Sequence, residues 1–328
     1  MEGKRKMSFI FTKPKAIGKK KHSSENQQLL DELDAYILEE EAEWNAFLIK
    51  FWTDQATAIT YKEMQEIVEA GEISQDVLED WQRDYAVLVK ENLKNKWMKA
   101  IINGQRKQPL LDNLTEQQFQ FNEAEKRVKE WIWTRSGRMI TEMAGEQRRA
   151  IQHIIEMETT GFTSANELAR MIRPCIGLTT RQTVANKRYY DSLKEKLRSD
   201  HPRMKESTIV SRAQEAQRKY AKKQLRYRAQ TIAHTELAEA YNQGADFGIR
   251  QAQEKGYIGH VRKVWVTARE FLYDNGKNRV CQYCEAVEGV TKELDEYFDL
   301  GKCGLKKLPP AHPRCRCVVK YVEVEGDE

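Results

Sequence analysis

Beyond residue 22, apolar positions recur at three- and four-residue steps for most of the chain. Near the C-terminal end the step drops to two. In "SSENQQLLDELDAYILEEEAEWNAFLIKFW", Leu29, Leu30, Leu33, Ile37, Trp44, Leu48 and Trp52 share one face, the spacing of an amphipathic helix. Ser24 and Gln27 stand there as a capping box. A second helix is predicted over 75–103, ending at Asn103–Gly104. A third opens at Thr115, with Gln118 completing its box, and runs toward Gly161. Its aromatic cluster (Trp131, Trp133 and nearby Phe121) is expected in a core. These three helices predict an elongated bundle rather than a pocketed globule.

Gly161–Phe162–Thr163 punctuates the chain, and shorter capped helices follow. "SANE" (Ser164, Glu167) opens one that must end before Pro174. "TTRQ" (Thr179, Gln182) opens another, carrying Val184, Tyr189, Tyr190 and Leu193. A long helix is predicted over about 206–254, with Ile232, Thr235, Glu236, Glu239 and Asn242 on one face. On it Gly244 and Gly248 leave a small-residue stripe where another backbone can approach closely. From Gly256 onward "RKVWVTARE" and "CRCVVKYVEVE" alternate and are rich in valine, so both are read as strands. Between them 271–313 reads as loop with a short helix near 291–299. The fold class that follows is α+β: a mostly helical N-terminal arm and helical body, with a small C-terminal β-sheet stapled by a metal or cysteine cluster. The expected divisions are a basic disordered tail over 1–22, a helical region over 23–160, a C-terminal domain over 161–322 and an acidic tail over 323–328.

Charge refines this picture. The formal net charge is +5. Residues 1–22 hold eight lysines and arginines against one glutamate, so the rest of the chain is close to neutral. Lys4, Arg5, Lys6, Lys19, Lys20 and Lys21 are the candidate polyanion contacts, for DNA or an anionic scaffold. A second basic block, 201–230, has nine basic residues against two acids. There Ile209, Tyr220 and Leu225 mark a buried side, so the charge reads as the outer face of a helix. No apolar run approaches the roughly 18 residues of a membrane span, and the N-terminus lacks the apolar centre of a secretion signal. The expectation is a protein made and kept in the cytoplasm, with no membrane partner.

The candidate chemistry lies in cysteine. Five of the six cysteines fall in the last 48 residues. Cys281 and Cys284 form a C-x2-C knuckle, Cys315 and Cys317 form C-x-C, and His312 stands in "PPAHPRCRC". Two ligand pairs separated by a loop suit a tetrahedral zinc ion. On a strand, residues 315 and 317 would point to the same face, and Pro310 and Pro313 would fix the direction of His312. Five donors compete for four places: all four cysteines bind, or His312 replaces one; Cys303 in "GKCG" is a weaker sixth. Disulfides and ordinary free thiols are the alternatives to a structural zinc. A catalytic reading sets "HTE" (His234 to Glu236) before the C-x2-C, as in zinc nucleotide deaminases. Val280 stands where that signature has proline, and no strand–helix alternation surrounds it. There is no phosphate-cradling glycine loop, G-x-S-x-G or H-E-x-x-H.

The order "GLTTRQTVANKRYYDSL", "RAQTIAHTELAEAYNQG", a Trp-bearing strand, C-x2-C followed by "EG", then "PPAHPRCRC" resembles the phage head-morphogenesis family typified by the minor head protein F of phage Mu. The resemblance covers about residues 160–320. It places the family pattern on Thr235, Glu236, Asn242 and Gly244, then on Trp265, Cys281, Cys284 and Gly289, then on Pro310, His312, Pro313, Cys315, Arg316 and Cys317. His234 stands where the family has arginine, and Lys277 where it tends to have aspartate, the nearest aspartate being Asp274. The resemblance implies a non-enzymatic minor capsid protein inside the virion head. It would associate with the portal protein and with major capsid or scaffold proteins, and assist procapsid assembly and DNA packaging or ejection. Other readings are a zinc-dependent nucleotide-modifying enzyme with Glu236 as proton shuttle, and a non-specific DNA-binding accessory protein using the 201–230 block.

Overall fold

A computed structural model describes residues 16–18, 23–112, 114–115, 118–158, 164–268, 272–273 and 281–324. Lys4, Arg5, Lys6, Lys19, Lys20 and Lys21 lie outside these residues, as do Gly161–Thr163, Asp274, Lys277 and the end of the acidic tail. The fold is α+β and mostly helical, with a small antiparallel sheet near the C-terminal end.

Helix α1 (Ser24–Ala58) buries Leu29, Leu30, Leu33, Ile37, Trp44, Leu48 and Trp52, the face read from the sequence. Its N-cap is Ser23, whose hydroxyl accepts from the Asn26 backbone, one residue earlier than the predicted Ser24 box. Helix α2 (Tyr61–Ala70), unpredicted, is opened by a reciprocal Thr60–Glu63 capping box and closed by Gly71 at φ +77°. Helix α3 (Gln75–Leu88) continues through a π-helical turn, Val89–Leu93, into α4 (Lys94–Arg106). Gly104 therefore lies inside the helix and does not end it. The four-residue helix α5 (Pro109–Asp112) follows.

The Thr115–Gln118 box forms, but it closes a turn; α6 begins only at Lys126 and runs to Glu158. On α6, Trp131 packs edge-on against Trp97, while Trp133 is 77% exposed and outside the core it was expected to join. Trp52 Nε1 donates to the Tyr85 hydroxyl (2.9 Å), which donates to Gln147 (3.1 Å), tying α1, α3 and α6 through buried polar groups.

The second half follows the predicted capping. Ser164 caps α7 (Ala165–Ile172), and the Thr179–Gln182 box opens α8 (Thr180–Asp200). The 49-residue α9 (Glu206–Glu254) is the axis of the molecule, with α1, α4 and α8 packed along it. A Cβ on Gly244 would overlap the Ile101 carbonyl, and one on Gly104 the Tyr241 carbonyl. The helices α4 and α9 are thus in backbone contact at two reciprocal glycines. One apolar core runs from Leu29 on α1 to Val318 near the C-terminal end, across the sequence boundary at 160.

The strands β1 (Ala16–Gly18) and β3 (Leu272–Tyr273) pair antiparallel. The main sheet has the order β4–β2–β7, with central β2 (Val261–Val266) between β4 (Thr291–Glu293) and β7 (Val318–Glu323). Another pair joins β5 (Phe298–Asp299) to β6 (Leu305–Lys306). The 291–299 segment thus begins and ends in short strands joined by a turn where a helix was expected; the short helix, α10, is Gln282–Glu285 instead. Among the described residues no helix is long and apolar enough to cross a membrane.

Candidate metal centre

The cysteines converge under Trp265. This β2 residue, Phe298, Leu300 and Ala311 form a separate apolar cluster with Cys284, Cys315 and Cys317, with Trp265 edge-on to Phe298 at 5.1 Å. Gly289, at φ +74°, donates its N–H to the Trp265 carbonyl (2.9 Å) and turns the chain from α10 toward β4. Cys281 caps α10 and Cys284 sits on it, while His312, Cys315 and Cys317 lie in irregular chain before β7. The expected strand register for residues 315 and 317 is therefore absent, since β7 starts at Val318. Convergence comes from the turn between the Pro309–Pro310 peptide, which is cis, and Arg314, which adopts φ +60°.

The donors form two overlapping triplets, Cys281–Cys284–His312 and Cys284–Cys315–Cys317, each with its ligand atoms within 4.8 Å of one another. Cys284 belongs to both. Its Sγ is 3.5 Å from His312 Nε2 and 3.9 Å from Cys315 Sγ. With Zn–S near 2.3 Å and Zn–N near 2.0 Å, a tetrahedral ion sets S···N edges of about 3.5 Å and S···S edges of about 3.8 Å. Both observed separations fit those edges. His312 Nδ1 lies 3.0 Å from the Pro313 carbonyl; a proton there leaves Nε2 as the lone-pair donor facing Cys284. Cys284, Cys315 and Cys317 are buried and Cys281 is half-buried; all six cysteines of the chain are free thiols. The cluster of Cys284, His312, Cys315 and Cys317 could hold a metal ion. Hydrogen bonds from Cys284 and Cys317 hold the Cys315 thiol well below its usual range, and hydrogen bonding with Cys315 pushes Cys284 up.

Helix α9 supplies the frame. Thr235 Oγ1 accepts from the Arg314 backbone (3.2 Å), and Asn242 Nδ2 donates to the Cys317 carbonyl (3.3 Å) and the Ala238 carbonyl (2.9 Å). Buried His234, hydrogen-bonded to the Cys315 backbone, is pushed down to about 4 by burial and by Arg316 and Arg314, and so is neutral. Arg316 reaches Asp34 of α1 at 3.6 Å. On its other side α9 is held by Glu236, which accepts from Trp97 Nε1 (3.0 Å) and Arg135 Nε (2.9 Å), with Arg135 Nη2 on its second oxygen. Arg135 also reaches Glu239 at 3.0 Å.

Pro310, His312 and Pro313 line a groove of about 340 Å3 beside this network, with Arg135, Arg138 and Glu239 opposite. Of the 201–230 block, Arg212, Lys219, Lys222, Lys223 and Arg226 are exposed, and Ile209 and Leu225 are buried as expected. Arg228 departs from that pattern: it is buried, bonded to the Gly177 carbonyl and set over the Trp52 ring at 5.2 Å.

Sequence reasoning missed Arg135, Trp97 and Lys263. Arg135 and Glu236 are 101 positions apart, so no local spacing marks their pairing. Lys263, in the middle of β2, is fully buried with Nζ donating to the Leu294 and Glu296 carbonyls at 2.8 Å each; its alternation with Val261 and Trp265 is the one sequence signal that it faces inward. Set against known proteins, the chain matches no protein-family model, no curated protein and no solved structure.

Proposed function

We propose that this chain is a non-enzymatic structural component of a tailed-phage head, a minor capsid protein that docks on the portal. Its C-terminal end, on this reading, is stapled by one zinc ion held by Cys284, His312, Cys315 and Cys317. The observation that carries the proposal is how the motif on α9 is used. Thr235 and Asn242 fasten the cysteine segment, and Gly244 admits the α4 backbone. Glu236 is bound on both oxygens by Arg135 and receives Trp97 as well. A proton shuttle needs a carboxylate that can exchange its partner during turnover; Glu236 is instead saturated by buried donors, which favours the structural reading over the deaminase one. A thiol–imidazole and a thiol–thiol separation at tetrahedral edge lengths, both made by Cys284, favour zinc.

The test is quantitative mass spectrometry of purified phage particles and procapsids, with the portal protein as internal standard. Retention of this chain at a few copies per portal ring after a high-salt wash is expected. Absence from both particles and procapsids would overturn the reading.

A further inference from the structure

Three arginines and a lysine surround Tyr61, the first residue of α2. Arg170 stands on α7, Arg173 opens the 3-10 turn Arg173–Cys175 that follows it, and Arg218 and Lys222 lie one turn apart on α9. The Arg170 and Arg173 guanidinium groups lie 5.2 and 4.3 Å from the centre of the Tyr61 ring, and Arg218 Nη2 donates to its hydroxyl (3.4 Å). Tyr61, Arg173, Arg218 and Lys222 line a groove of about 300 Å3 over Trp52, Ala56, Pro174 and Leu225, and no described carboxylate lines it.

Cations gathered in this way repel one another unless an anion stands between them. Arg173 is accounted for by the end of α1, with Nε donating to the Ala56 carbonyl (2.6 Å) and Nη2 to the Thr57 carbonyl (3.1 Å). Arg170 donates to the neutral Asn166 side chain (3.0 Å). Glu215, three residues before Arg218, is already held by Lys219 at 2.8 Å. Among the described residues, none of the four cations forms an ion pair with a carboxylate. The Tyr61 hydroxyl accepts from Arg218, which leaves its own proton to donate. A carboxylate has two oxygens and one charge. Three guanidinium groups, an ammonium and a phenol around one ring exceed that need, and they suit a tetrahedral anion with more oxygens and up to two charges. We infer that this groove binds a phosphate group, taken up as the free ion or carried on a nucleotide or a nucleic-acid strand. The site shares no residue with the cysteine cluster, so it does not depend on a metal there.

Isothermal titration calorimetry of the full chain with inorganic phosphate, at constant ionic strength in chloride, tests this. One phosphate per chain is expected. Arg218→Gln should weaken binding at least about tenfold, and Tyr61→Phe, which keeps the ring and removes the hydroxyl, about fivefold. Lys222→Gln, at an exposed position, should weaken it severalfold with an unchanged circular dichroism spectrum. Lys219→Gln removes the same charge from the same helix, but from a side chain already paired with Glu215, and should leave binding unchanged. The same titration with adenosine monophosphate and with a short single-stranded oligonucleotide identifies the carrier: the tightest ligand that Arg218→Gln weakens is the one the groove serves. Failure of all three ligands to bind saturably, or binding that Arg218→Gln and Lys222→Gln leave unmoved, would overturn the proposal. So would an equal loss in Lys219→Gln, which would reduce the effect to general charge attraction, or a glutamate-rich peptide that binds the groove where phosphate does not.

Discussion

At the scale of single residues, the buried ionic groups carry the sharpest consequences. Arg135 is enclosed between buried Glu236 and half-buried Glu239, and its removal leaves the buried Glu236 carboxylate without its cation. Breaking a buried pair from one side costs about 3–5 kcal/mol, whereas replacing both partners with apolar groups is often neutral. Arg135→Met should therefore lower unfolding stability by about 3 kcal/mol or more, and adding Glu236→Gln should recover part of that loss in a urea double-mutant cycle. Additive losses would mean the pair is uncoupled.

Lys263 gives a pH signature. Burial pushes its amine down to about 8, from an ordinary value of 10.5. Above pH 8 the folded state gives up this proton while the unfolded chain still holds it, so stability rises with pH up to about 10.5 and levels off. Measured against Lys263→Met, the wild type should gain stability across that window; a constant difference would show that the amine titrates normally. None of these partnerships is visible in sequence, because each joins positions that only the fold brings together.

At the scale of elements, the α4–α9 contact is the most demanding. Gly104→Ala or Gly244→Ala drives a methyl group into a backbone carbonyl, which cannot rotate away as a side chain can. Either substitution should cost about 3 kcal/mol, at the upper end of overpacking effects. Gly137, exposed on α6 with open space where a Cβ would stand, is the control; Gly137→Ala should stabilise by up to about 1 kcal/mol. Thermal melts of the three variants rank them, and a mild Gly244→Ala would contradict the close approach.

Helices proved the most legible elements. The bounds of α9, the caps of α7 and α8 and the buried stripe of α1 all follow from residues that repeat or bond within one turn. The misread elements are those where the local signal was outweighed. The Thr115–Gln118 box caps a turn with no apolar stripe behind it, and 291–299 became two strand edges because β2 and β6 offered ladder partners.

At the scale of the whole molecule, one long helix joins a helical bundle on one side to a small sheet and its cysteine cluster on the other. The identity of the candidate ligands was legible in the C-x2-C, His and C-x-C spacings. Their geometry was not, since residues 315 and 317 lie in irregular chain ahead of β7. The small C-terminal cluster buries few apolar side chains besides Trp265 and Phe298, so a metal link between α10 and the chain entering β7 would supply much of its cohesion. The measurement that tests this account most directly is the zinc content of the purified full chain by plasma mass spectrometry, beside the same assay on Cys281→Ser and Cys315→Ser. One zinc per chain is predicted for the wild type and for Cys281→Ser, with loss of the metal and a lowered melting temperature for Cys315→Ser. A wild-type chain without metal, whose melting is unmoved by added zinc or by a chelator, would contradict it.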